Sequence, residues 1–259
     1  MIRKVIIFAL FAFCALLPIS PARAQQGYEF EVYSTDIGVK GATEIELNSN
    51  FVAKGRAETD EGFAATHHAL RSSLEISRTL SSWIQATAYV TANARPGHAL
   101  SYVGNRAKIT AVAPASWKLP FGLGVANELS YARAPFAEYT WAYELTPIIA
   151  IKAGQVSVIF NPAFERGLSG SGEHHIEVEP RAKIGYGFGD DAAIALEYYG
   201  GLGGIGENYT LRQQRHHLFG KFESEVSSRL ELGVGVGRGL TRSSDGWVIT
   251  TALEYRLGR

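Results

Sequence analysis

The chain has 259 residues, with 25 basic and 25 acidic side chains, and this balance argues against nucleic acid as a partner. Its 28 glycines, 13 phenylalanines, 12 tyrosines and 4 tryptophans suit tight sheets with aromatic belts better than a helical or disordered chain. One cysteine, Cys14, leaves nothing for an internal disulfide or a cysteine-based metal site.

Residues 1–24 read as a cleaved signal peptide. Arg3 and Lys4 give a positive start, Val5 to Leu17 an apolar run, and Ala22-Arg23-Ala24 a small-x-small cleavage site. The apolar run is shorter than the roughly 20 residues a spanning helix needs, which disfavours a stop-transfer helix. Cys14 follows Phe13, whereas lipoprotein signals place a small residue there, so no lipid anchor is expected. Removing Arg3, Lys4 and Arg23 leaves 22 basic against 25 acidic residues, a net charge of −3 (22 − 25). Residues 25–41, with a short alternating piece from Tyr28 to Tyr33, are expected to form an N-terminal periplasmic extension, or else a stretch tucked into the lumen.

From residue 42 to 259 the chain alternates between apolar and polar side chains. In Ile176, Val178, Ala182, Ile184 and Tyr186, interleaved with Glu177, Glu179, Arg181 and Lys183, one strand face suits lipid and the other water. The alternation predicts twelve strands, near 42–54, 66–78, 82–94, 100–113, 119–133, 138–151, 155–162, 174–187, 191–200, 213–225, 228–240 and 246–257. Tight connections such as Lys152 to Gln155 and Glu225 to Ser228 alternate with longer ones at Lys54 to Ala65, Glu165 to Glu173 and Gly201 to Arg212. Short periplasmic turns and long extracellular loops are the habit of outer-membrane barrels. Trp83, Trp117, Tyr186 and Tyr255 fall near the turns, and Tyr131, Trp141, Tyr198 and Trp247 nearer the loops, where interfacial anchors belong. A soluble β-sandwich explains the period but neither the loop lengths nor the aromatics. The expected fold is therefore all-β, an antiparallel up-and-down transmembrane barrel of about twelve strands in the bacterial outer membrane.

The polar face of this register lines the lumen. It comprises Glu44, Glu46, Arg71, Glu75, Arg106, Lys108, Glu128, Glu144, Glu177, Glu179, Arg181, Lys183, Glu197, Lys221, Glu223, Glu231, Glu254 and Arg256, eleven acids and seven bases. A twelve-stranded barrel has a backbone diameter of roughly 24 Å, so side chains leave only a narrow passage. The charges can line a hydrated, mildly cation-preferring pore or pair into networks that fill the interior. Small inward residues at Ala126, Ala193, Ala195, Gly233, Gly235 and Gly237 leave space along one wall and favour the pore.

Three histidine pairs, His67-His68, His174-His175 and His216-His217, open descending strands at the outer rim. His175 and His217 face inward about 10 Å apart, within reach of one metal ion if Glu173 or Tyr199 contributed, although ordinary rim residues are the favoured reading. Ser72 and Ser73 below His68, and Ser169 and Ser171 near His174, form no recognisable hydrolase constellation. The glycine-rich run Gly200 to Gly206 has no following helix to make it a phosphate cradle.

Tyr28-Glu29-Phe30-Glu31-Val32-Tyr33, then Thr43-Glu44-Ile45-Glu46-Leu47, then Leu196-Glu197-Tyr198-Tyr199-Gly200 together resemble a group of proteobacterial exported outer-membrane barrels. The layout is similar to transporter-like barrels of the aromatic-degradation, MetA-pathway type. This resemblance implies an outer-membrane channel or transporter and carries no binding residue with it. Such barrels usually end on an aromatic residue read by the assembly machinery, whereas this chain ends Tyr255-Arg256-Leu257-Gly258-Arg259. The function expected is passive passage of small solutes through a narrow charged lumen, without cofactor and without catalysis. Expected partners are outer-membrane lipid, small solutes and the barrel assembly machinery, and no feature fixes an oligomeric state. A closed structural or adhesive barrel with working loops, and a lipid- or peptide-acting hydrolase, are the alternatives.

Overall fold

Alternating sequences of this kind satisfy their backbone groups in a membrane only by pairing every strand on both sides. The computed structural model describes residues 30–59, 63–170, 175–189 and 191–257. The signal segment expected over residues 1–24 lies outside the described residues, as do residues 25–29, Ser171, Glu173 and His174. Twelve strands are present: β1 (Thr43–Lys54), β2 (Leu70–Ser81), β3 (Ile84–Ala94), β4 (Ser101–Val112), β5 (Gly122–Ala132) and β6 (Tyr139–Ala153) form the first half. The second half is β7 (Val156–Gly170), β8 (Ile176–Phe188), β9 (Ala192–Gly201), β10 (Arg215–Ser227), β11 (Leu230–Gly239) and β12 (Trp247–Leu257). Each pairs antiparallel with its sequence neighbours, and β12 pairs with β1 from Thr43–Leu257 to Lys54–Trp247, so the barrel is closed.

Connections of two residues (82–83, 154–155 and 228–229) join β2 to β3, β6 to β7 and β10 to β11. At the other end, residues 55–69 and 202–214 make the longest connections. The short-turn end is periplasmic in outer-membrane barrels, so the start of β1 and the end of β12 share that end.

The distribution of side chains is the reverse of a soluble protein's. Leu196, Ile194, Val236 and Ile184 are about half exposed on the outer surface, while Glu197, Glu75, Lys108 and Glu128 are buried inside. Leu47, Val90, Ile109, Leu123, Leu145, Ile149, Leu232, Val234, Ile249 and Leu253 also stand exposed. Trp83, Trp117, Trp141, Trp247, Tyr186 and Tyr255 are exposed near the strand ends. This continuous apolar belt with aromatic margins places the barrel in the bacterial outer membrane.

Two strands differ from the sequence reading. β2 begins at Leu70 instead of near residue 66, because His68 adopts a left-handed conformation (φ 59°) and the Ala69 N–H closes a turn on the Thr66 carbonyl. β7 continues to Gly170 through a stretch expected to loop from Glu165. Pro162 reads as a strand stop because it has no ladder donor. In the fold it stands opposite Pro180 of β8, and by the β6–β7 register opposite Pro147 of β6. The β6–β7 pairing skips from Leu145–Phe164 to Ile149–Phe160, across these prolines, and resumes on both sides.

The described part of the N-terminal stretch, from Phe30, does not extend into the periplasm. Residues 30–37 run inside the barrel, where Tyr33 and Ile37 are buried, and the chain emerges at the short-turn end to enter β1. The alternating apolar residues explain this placement. Phe30 and Val32 pack on a cluster of Val52, Tyr199, Phe219 and Val248, while Tyr33 packs on Ala126 and Ile148 from the other wall.

Candidate functional site

The inward positions form three charged levels. Nearest the short turns, Arg256 of β12 lies 2.8 Å from Glu254, 2.9 Å from Glu231 and 3.4 Å from Glu225. Glu44 stands opposite Arg256, and Glu46 stands between Glu75 and Glu254 in register. The Asn48 amide donates to Glu75 at 2.7 Å, which satisfies part of that buried carboxylate. Higher up, Lys183 lies 2.5 Å from Glu223 and 3.5 Å from Glu197, and Lys221 lies 2.7 Å from Glu197. The Tyr199 hydroxyl also donates to Glu197. Nearer the loops, Arg181 lies 2.5 Å from Glu144 and 3.5 Å from Glu179, and Arg106 lies 3.3 Å from Glu128. Arg71 stacks its guanidinium on the Phe136 ring at 5.5 Å. The Tyr139 hydroxyl donates to Glu177 at 3.4 Å.

Glu165 was not among the expected lumen residues. In register it falls between Glu144 and Glu177, and Glu144 in turn faces Glu128. Four glutamates therefore stand side by side across β5 to β8, an arrangement that like-charge repulsion disfavours unless cations intervene. Arg181 and Arg106 meet two of them. The sequence signal for Glu165 was the continued alternation Ala163, Glu165, Gly167, Ser169, masked by Pro162 before it and the outward Arg166 within it.

The segment at residues 30–37 is held by both polar and apolar contacts. Lys108 lies 3.5 Å from Glu31 and 3.7 Å from the centre of the Tyr33 ring. The Lys221 ammonium donates to the Phe30 carbonyl at 2.9 Å, and Gln85 donates to the Ile37 carbonyl at 3.1 Å. The Phe30 ring packs 4.5 Å from that of Phe219 and 5.0 Å from that of His217.

Two cavities flank this segment. The larger, about 580 Å³, lies toward the loops and reaches Phe30, Glu31 and Tyr33 from above. The smaller, about 130 Å³, touches Phe30, Glu31 and Val32 on the side of β9 to β12 and is lined by Gly233, Ala252 and Thr250. The inward small residues thus have different fates. Gly233 borders the smaller cavity, Ala126 is covered by Tyr33, and Gly237 is filled by the Phe219 ring.

His175 and His217, the residues considered for a shared metal ion, have different partners. His175 Nε2 lies 3.8 Å from Glu207 in the β9–β10 connection, whereas His217 is packed against Phe30 and Phe219. Tyr199, the other proposed contributor, is turned to Glu197. Among the described residues no group of three histidine, cysteine, aspartate or glutamate side chains is arranged to hold a metal. His67 stacks on His68 at 3.8 Å. Ser72 hydrogen-bonds Ser49, and Ser73 hydrogen-bonds Thr91, each at 2.8 Å, so both hydroxyls are engaged away from a histidine base. Residues 202–205 of the glycine-rich run lie along the upper part of β8, where the Leu202 N–H donates to the Val178 carbonyl and the Ile205 N–H to that of Ile176.

No family model matches the chain, and no curated protein matches it. Solved structures do share its fold. The outer-membrane channel described as COG4313 from Pseudomonas putida F1 is similar with a TM-score of 0.58 at 10% identity, covering 88% of this chain and 100% of that one. The KdgM porin gives 0.56 at 11% identity, covering 83% and 99%. The same porin in complex with disordered oligogalacturonate gives 0.55 at 12% identity and the same coverage.

Proposed function

We propose that this porin-like barrel is a passive channel for small solutes, with a charged lumen that sets a weak selectivity and an N-terminal segment that narrows the route. The observation that carries this reading is the pair of cavities, about 580 Å³ and about 130 Å³, which both reach Phe30 and Glu31 from different sides. A solute entering from the loops meets the segment and is diverted to the side of β9 to β12, where Gly233 and Ala252 leave the wall bare. A hydrated route of this kind explains why so many charges face inward when an apolar filling would be simpler.

Fully buried Phe219, Ile148 and Asn161 favour a second reading, a closed barrel whose loops do the work. Planar-bilayer recording on refolded protein separates the two. Discrete, small conductance steps support the channel. Silence from protein shown to be folded by its heat-dependent gel mobility overturns it in favour of the closed barrel.

A further inference from the structure

The charges around the larger cavity are sorted by sign. From β5 to β8 it is lined by Glu128, Glu144, Glu165 and Glu179 with Arg181 as the one base. From β1, β2 and the connections beside them it is lined by Lys54, Arg56, Arg71 and Arg242 with Asp245 as the one acid. Arg106 on β4 and Arg215 on β10 flank the acidic arc, and Glu31 forms part of the floor. In a ring of twelve strands β1 stands six places from β7 and β2 six from β8, so Arg56 and Arg71 face Glu165 and Glu179 across the lumen.

Two buried side-chain atoms at this cavity have no hydrogen bond among the described residues, although Glu179 meets Arg181 through its other oxygen. Glu179 is 7% exposed and its Oε1 has no hydrogen bond; His217 is 6% exposed and its Nε2 has none. Both line the cavity. Glu165 likewise has no ion-pair partner among the described residues, being surrounded in register by other glutamates. A buried acceptor left open costs free energy, and a donor arriving from a ligand recovers it.

We propose that this cavity binds short zwitterionic peptides, with the ammonium end on Glu165 and Glu179 and the carboxylate end on the arginine side. The proposal rests on the reading of the lumen as open toward the loops. A backbone diameter of roughly 24 Å, less an arginine on one side and a glutamate on the other, leaves about 10 Å between opposed charges. An extended di- or tripeptide spans about 7–10 Å, so its two ends reach both walls at once. Joining the two charges in one molecule makes the second contact intramolecular, which separate ions lack. A gap of about 10 Å also excludes a single amino acid from touching both walls.

The test uses the full-length refolded protein in detergent at low salt, with titration calorimetry as the readout, so binding is measured whether or not the pore conducts. The ligands are trialanine, its N-acetylated form, its C-terminal amide and the doubly capped peptide. Trialanine should bind about tenfold or more tightly than either singly capped peptide, and the doubly capped form weakest. Replacing Glu165→Gln should weaken trialanine about tenfold while leaving the N-acetylated peptide unchanged, because only the ammonium contact is lost. Equal affinity for all four peptides, or binding of none, overturns the proposal. Should E165Q fail to fold, the comparison of capped peptides on the unmodified protein decides alone. Conductance on the same preparation reports separately on the channel: conducting protein that does not distinguish the peptides sinks this inference only, and silent protein sinks the channel.

Discussion

The backbone N–H of Tyr33 donates to Asn161 Oδ1 at 2.7 Å, and the Asn161 amide donates back to the Tyr33 carbonyl at 3.1 Å. One buried side chain on β7 thereby satisfies both main-chain groups of a residue that belongs to no strand of the wall. An unpaired peptide group in the interior is costly, so this reciprocal pair anchors the segment at residues 30–37 more firmly than the ion pair of Glu31 with Lys108.

Asn161→Ala should release that anchor. Two buried main-chain groups lose their partners, which lowers stability by about 1–3 kcal/mol. If the segment narrows the route, the single-channel conductance should rise as well. Urea midpoints and bilayer recordings check the two effects, and an unchanged step size refutes the narrowing role.

The glycines of β11 give opposite responses to one substitution. A Cβ on Gly237 meets the Phe219 ring at 2.3 Å, so Gly237→Leu should destabilise by about 1–3 kcal/mol through overpacking. A Cβ on Gly233 finds its nearest neighbour, the Ala252 Cβ, at 3.3 Å and points to the smaller cavity. Gly233→Leu should therefore keep the fold and reduce conductance. Equal conductance for this variant and the parent protein places the route elsewhere.

Outward and inward positions of β9 should respond differently to the same charge. Leu196 is 50% exposed in the belt, and Leu196→Arg should cost about 2–4 kcal/mol near the bilayer midplane. Ala193 faces inward opposite Glu223, so Ala193→Arg finds a carboxylate and should change stability little. Equal losses, measured by unfolding in lipid or detergent, contradict the assigned parity.

Glu197 is 2% exposed and receives Lys221, Lys183 and the Tyr199 hydroxyl. Glu197→Gln leaves Lys221 in a buried setting without that carboxylate, and the loss should be about 3–5 kcal/mol. Glu223→Gln should cost far less, because Lys183 keeps Glu197 and the site is more open. Comparable unfolding midpoints for the two variants argue against a paired interior at this level.

How much of this was legible depends on the range of the interaction. The strand set, the exposed positions of Leu196 and Ile194 and the inward positions of Glu197 and Lys221 follow from a period of two, which one strand carries in its own sequence. Glu165 was lost because proline and Arg166 interrupt the local pattern, while the neighbours that keep it in the sheet, β6 and β8, lie elsewhere in the chain. The placement of Tyr33 was undecided for the same reason. Its partner is 128 residues away, and an alternating piece of six residues suits a strand, an extension or a lumenal filler equally. Which glutamate meets which cation, such as Arg181 with Glu144, depends on register between strands and on long side chains, which alternation does not encode.

Pro147, Pro162 and Pro180 lie side by side across three adjacent strands, and the β6–β7 pairing breaks at that row. Directly behind the break, Ile148 and Asn161 are fully buried, with Tyr33 against both. The lumenal segment therefore lies as an inner brace behind a row where the β6–β7 ladder is interrupted. The barrel is in this respect a hoop with a splint laid along the inside of one interrupted joint.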